Sequence, residues 1–108
     1  MLHGMGRIEL ELYADRLSRH AERLRDDIDG ARTRLAWGRF EASARDRLAS
    51  RDLQLLEAIG VWTSVDELAE RRLVERRLRQ LEAVEKLQSL VEEALVAAID
   101  ASKPPSSS

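Results

Sequence analysis

The chain offers few side chains able to make or break a bond. His3 and His20 are its only histidines, and it has no cysteine. That removes thiolate nucleophiles, disulfides and Cys-based metal sites together. His20 lies among Arg19, Glu22 and Arg23, with no second imidazole or spaced carboxylate to complete a metal set, so it reads as a surface histidine. The serines sit in no Gly-flanked elbow and beside no base that could activate them. No catalytic residue, cofactor or metal ligand is assigned, no small-molecule substrate is evident, and a non-enzymatic protein is expected.

The charged residues carry more information. Arg71, Arg72, Arg76, Arg77 and Arg79 form the densest basic stretch. Arg71, Arg72, Arg76 and Arg79 would make a basic patch able to meet phosphates or an acidic partner. Glu70, Glu75 and Glu82 are interleaved at helical pairing distances, which favours a solvated, ion-paired face. The whole chain holds 18 basic and 20 acidic residues, a net charge of −2, without the basic excess of a general nucleic-acid binder. Lys86 and Lys103 are the only lysines. Arginine therefore dominates, and its planar fork pairs with carboxylates more specifically than an ammonium does. Arg77, Gln80 and Gln88 fall on or beside an apolar helical stripe. Polar groups placed there set the register of two helices when a facing side chain satisfies them.

The elements that must position these groups are helices. Charged residues make up 35% of the chain and aromatics only 4%, the composition of long helices and coiled coils. Leu10, Ala14, Leu17, Ala21, Leu24, Ile28, Ala31 and Leu35 recur at alternating steps of four and three, an uninterrupted heptad seam that needs a partner helix. Beyond Leu35 the heptad would place Gly38, Ala42, Arg45 and Asp52 in the core. The apolar set instead shifts to Phe40, Ala44, Leu48, Leu55 and Ile59. A break near 37–39 is expected, because glycine weakens a helix interior by about 1 kcal/mol. Gly60 should cap the second helix, and Trp37, Phe40 and Trp62 should pack its corners; an exposed aromatic at either helix junction would instead mark a binding hot spot. Ser64, with Glu67 three residues on, fits a capping box.

The expected organisation is a disordered leader over 1–7, one helical domain over 8–100 and a disordered tail over 101–108. The helices are placed at 8–36, 39–59 and 65–100. The fold class is all-α, a long-helix antiparallel hairpin or three-helix coiled-coil-like bundle. If the third helix folds back on a second helix of about 20 residues, it covers only part of the first. Each leucine left in water would cost about 1.5–3 kcal/mol, so a homodimer is predicted. Leu10, Leu17, Leu24, Ile28 and Leu35 form its seam, a surface that suits a protein partner equally well. No apolar run approaches the roughly 18 residues of a membrane span, and no signal-peptide layout opens the chain, so the cytoplasm is the expected location.

Residues 13–35, YADRLSRHAERLRDDIDGARTRL, resemble more than one helical family. Leu24-Arg25-x-x-Ile28-Asp29 is similar to the opening helix of the small all-helical chorismate mutases. The chain then has Arg32 where that family has an aspartate and Ala42 where it has an arginine, so a dicarboxylate substrate finds no clamp. Ser18 and Asp29 resemble the cyclic-di-GMP-responsive anti-sigma coiled coils, which would imply a transcriptional regulator. Ala14, Ala21 and Arg25 stand where that family places Glu, Arg and Gln, so dinucleotide binding is not implied. Trp37-Gly38 resembles the turn of the secreted WXG helical hairpins without the residue between Trp and Gly. Leu55 to Leu81 is similar to the first half of a DNA-binding helix-turn-helix, but the turn that motif requires is absent between Glu70 and Leu81. The expectation that survives is a small helical adaptor or regulatory protein that works through coiled-coil protein contacts.

Overall fold

The computed structural model describes residues 6–102. Three α-helices form an all-α fold: α1 (Arg7–Ala44), α2 (Ser50–Ala58) and α3 (Glu67–Ser102), with a 3-10 turn at Arg45–Arg47 between α1 and α2. The long α1 packs against the long α3. Among the described residues no helix is long and apolar enough to cross a membrane. Residues 1–5 and 103–108, which hold most of the expected leader and tail, lie outside the described residues. Arg7 opens α1, and α3 continues two residues past the expected end at 100.

The chain divides into two units, Met1–Leu24 with Arg79–Ser108, and Arg25–Leu78. In the first, Leu10 and Leu17 of α1 bury against Val91 of α3, with Tyr13, Ala14, Val84, Leu87, Ala94 and Leu95 packed around them. This core is dry and aliphatic. Removing a Leu or Val side chain from water contributes about 1.5–3 kcal/mol, which is what holds two polar-faced helices together here.

In the second unit the pairing is partly ionic. Arg34 donates through Nε and Nη2 to the two oxygens of Glu70 at 2.8 and 3.0 Å. Arg77 Nε lies 3.2 Å from Asp27 Oδ2. The step of seven from Asp27 to Arg34 on α1 matches a step of seven backwards from Arg77 to Glu70 on α3. The helices therefore run antiparallel in a constant heptad register. Arg77 plays the register-setting role its position implied, and Asp27 is the facing carboxylate. Ile28 and Ala31 are buried in the same unit.

Four expectations change. The seam assigned to a second copy is occupied by the chain itself: Leu10, Leu17 and Ile28 are buried, and Leu24 and Leu35 are half-buried, in a single protomer. The reason lies in the lengths. α1 runs 38 residues and α2 only nine, so α3 pairs with α1 rather than α2.

Those lengths follow from the second change. α1 passes unbroken through Trp37-Gly38 and ends at Ala44. A Cβ on Gly38 would stand 3.0 Å from Val65 Cβ, so glycine serves close packing there rather than a break. The chain instead breaks over 45–49, where the seam's phase is already lost.

Third, α3 is capped by Asp66, whose Oδ1 accepts the Ala69 N–H at 3.1 Å, and not by Ser64. Ser64 has a φ of 47°, a left-handed turn residue that costs about 1–2 kcal/mol for a side chain other than glycine. Fourth, corner packing applies to Trp62, which is half-buried, but not to Trp37 or Phe40, which are exposed. Gly60 does close α2: its φ is 76°, its N–H reaches Glu57 O, and the Val61 N–H reaches Leu56 O, both at 3.0 Å. Those two bonds satisfy carbonyls that a helix end otherwise leaves orphaned.

Candidate functional site

The corner where α1 ends, α2 turns back and α3 begins holds an open groove of about 530 Å³. Its walls come from three places. Trp37, Phe40 and Ala44 stand at helical steps of three and four on the side of α1 away from the seam. Leu48 comes from the link before α2 and Leu56 from the inner face of α2. Val61 and Trp62 come from the loop after α2. Heptad phase explains the first wall: Trp37 lies two positions past Leu35, too far around the helix to join the seam.

The loop is tied down by polar bonds. The Glu41 carboxylate accepts the Thr63 N–H at 2.9 Å and also the Thr63 hydroxyl. Ser64 Oγ makes a longer contact of 3.4 Å with Glu57. These bonds use the carboxylates nearest the groove on internal contacts, so the groove itself presents mainly carbon. Phe40 is 73% exposed and Trp37 54%. An aromatic of this kind shows some 150–250 Å² of apolar surface when free, and exposed aromatics in a concave apolar site are the composition of binding hot spots.

α2 adds a ridge beside the groove. Leu53 and Leu56 face inward and are half-buried, whereas Leu55 and Ile59 lie on another side and are exposed, Ile59 to 71%. Among soluble helices, apolar residues on more than one side belong to a helix covered on more than one side.

The other sequence-derived candidates are scattered. Leu10, Leu17, Leu24, Ile28 and Leu35 form internal packing. Of the basic patch, Arg71 donates to Glu67 at 2.7 Å, and Arg72, Arg76 and Arg79 are exposed on α3 with Glu75 among them. Of these four, Arg71 makes the i,i+4 ion pair that a solvated, paired face would show. The Arg34 pKa is pushed up, first by its hydrogen bonding to Glu70, against an opposing effect of desolvation, with smaller upward contributions from the Glu70 and Asp27 charges. Its fork is thus a fixed structural charge rather than a proton donor. His20 is exposed. Among the described residues no group of three or more His, Asp or Glu side chains could hold a metal ion.

Sequence reasoning flags an exposed aromatic at a helix junction as a hot spot but does not place the groove or its other walls. Its signal was present in Trp37 and Phe40, off the seam yet on one helical face, and in the two-sided apolar pattern of Leu53 to Ile59. Comparison with protein-family models, curated proteins and solved structures finds no match to this chain.

Proposed function

We propose that this chain is a non-enzymatic helical interaction protein, an adaptor or regulator, whose contact surface is the aromatic groove at the helical corner. The observation that carries the reading is the exposure of Trp37 and Phe40 over an apolar cavity of about 530 Å³, while the chain's own helices already cover the α1 seam. Burial of those two rings would take a large apolar surface out of water. A helix presenting an apolar ridge fits such a groove, with side chains spaced three and four apart as anchors.

A photoreactive residue in place of Phe40 tests the reading in cells. A protein adduct is expected from that position and not from the same residue at the exposed Glu22. Equal labelling at both positions, or none at Phe40, overturns the assignment.

A further inference from the structure

We infer that the occupant of the corner groove is a second copy of this chain, docked in a two-fold arrangement that places the Leu55–Ile59 ridge of each copy in the groove of the other. The inference rests on the functional reading above and names its partner.

Three observations support self-association. First, the patch contains both halves of its own contact. The groove walled by Phe40 and Trp37 is concave, and Leu55 and Ile59 are exposed on the side of α2 turned away from Leu53 and Leu56. A surface that pairs with itself across a two-fold axis must supply a receptor and a ligand from one protomer, and this one does.

Second, the area suffices. Trp37, Phe40, Leu55, Ile59 and Val61 are each more than half exposed. With aromatics contributing about 150–250 Å² apiece when fully covered, the five offer on the order of 500 Å² per copy. A pair then buries on the order of 1,000 Å², the lower bound for a specific contact. The dimer should accordingly exchange with monomer rather than be permanent.

Third, the charges beside the patch alternate, Arg45-Asp46-Arg47 and then Arg51-Asp52. No single-signed field is present there to select a strongly acidic or basic ligand.

The absence of cysteine makes the test direct. Light scattering of the purified full chain across the micromolar range should give a mass rising toward twice 12.3 kDa. Phe40→Glu with Ile59→Glu should hold it at the monomer mass with unchanged helical circular dichroism, because both side chains are solvent-facing. Leu90→Glu, exposed on α3, should leave the dimer intact.

Should the double variant unfold, single cysteines give an independent reading. Chains with Phe40→Cys mixed with chains carrying Ile59→Cys should oxidise to a mixed disulfide, and Leu90→Cys chains should not. A wild-type monomer throughout the range, or a dimer indifferent to Phe40 and Ile59 with no mixed disulfide, overturns the inference. A monomer that still gives the Phe40 protein adduct in cells overturns only the identity of the partner and leaves the functional reading standing.

Discussion

The two units solve the same problem, pairing α1 with α3, by different means. In the first, Leu10, Leu17 and Val91 exclude water and make an aliphatic contact. In the second, Ile28 and Ala31 are still buried, but the flanks are held by Arg34 on Glu70 and Arg77 beside Asp27. The polar unit also turns two aromatics outward, Trp37 and Phe40, beside exposed Leu55, Ile59 and Val61, whereas the exposed apolar residues of the first unit, Ile8, Leu12 and Leu90 among them, are aliphatic. The comparison teaches that an apolar surface count alone does not locate a binding face. The regular seam attracts attention first and is spent internally, while the irregular corner keeps its aromatics accessible.

The contrast is broken most severely in the dry unit. Val91 is 0% exposed, so Val91→Asp buries a carboxylate with nothing to pair it, a loss of several kcal/mol in a domain with only about 5–15 to lose. The expected result is loss of cooperative thermal unfolding and of most helical circular dichroism at room temperature. A folded variant with a normal transition would mean that this contact is not the core of its unit.

A smaller effect is expected in the polar unit. Arg34→Ala leaves the mostly covered Glu70 carboxylate without its fork and should lower the unfolding midpoint by a few degrees. Arg34→Lys should recover only part, since an ammonium cannot form both bonds. The pH dependence follows from the raised Arg34 pKa. A cation whose folded pKa lies above its unfolded value contributes fully below the unfolded value and fades as pH rises through the folded one. The Arg34 contribution should therefore stay constant from neutral to moderately alkaline pH and decline only in strong alkali, as seen by comparing wild-type and Arg34→Ala midpoints across that range.

The smallest effects distinguish two glycines inside α1. At Gly30 an added Cβ meets only the far end of Arg34, at 3.5 Å, so Gly30→Ala should stabilise the chain by about 1 kcal/mol through helix propensity. At Gly38 the same methyl meets Val65 Cβ at 3.0 Å, and Gly38→Ala should recover little or none of that gain. Equal increases in midpoint for both variants would remove the close-packing explanation for the unbroken helix.

Much of the fold was readable because the seam deposits an apolar residue on one face at every step from Leu10 to Leu35. That regularity identifies a helix and its buried side. It does not say who covers the seam, since the answer depended on one glycine. Gly38 read alone is a weak point in a helix, and only the position of Val65 turns it into a contact. The cap of α3 was ambiguous for a similar reason. Ser64-x-x-Glu67 has the right spacing, but Asp66 lies closer, and the turn after Gly60 puts Ser64 at positive φ, where it cannot cap. The groove was legible only as an anomaly, two aromatics out of phase with the seam, because its other walls arrive from a segment that folds back over non-local distances.

α2 has a consequence of its own. It is nine residues long, and its N-cap is Ala49, with no side-chain bond to the first amides. Isolated helices that short are marginal in water, so α2 persists through the anchorage of Leu53 and Leu56 and the Gly60 closure. One wall of the groove is therefore also the easiest helix to melt, and ridge and receptor come and go as one cooperative piece. Amide protons of α2 should exchange fastest among the three helices, and slow as anything settles onto the corner, making that short helix a built-in gauge of occupancy.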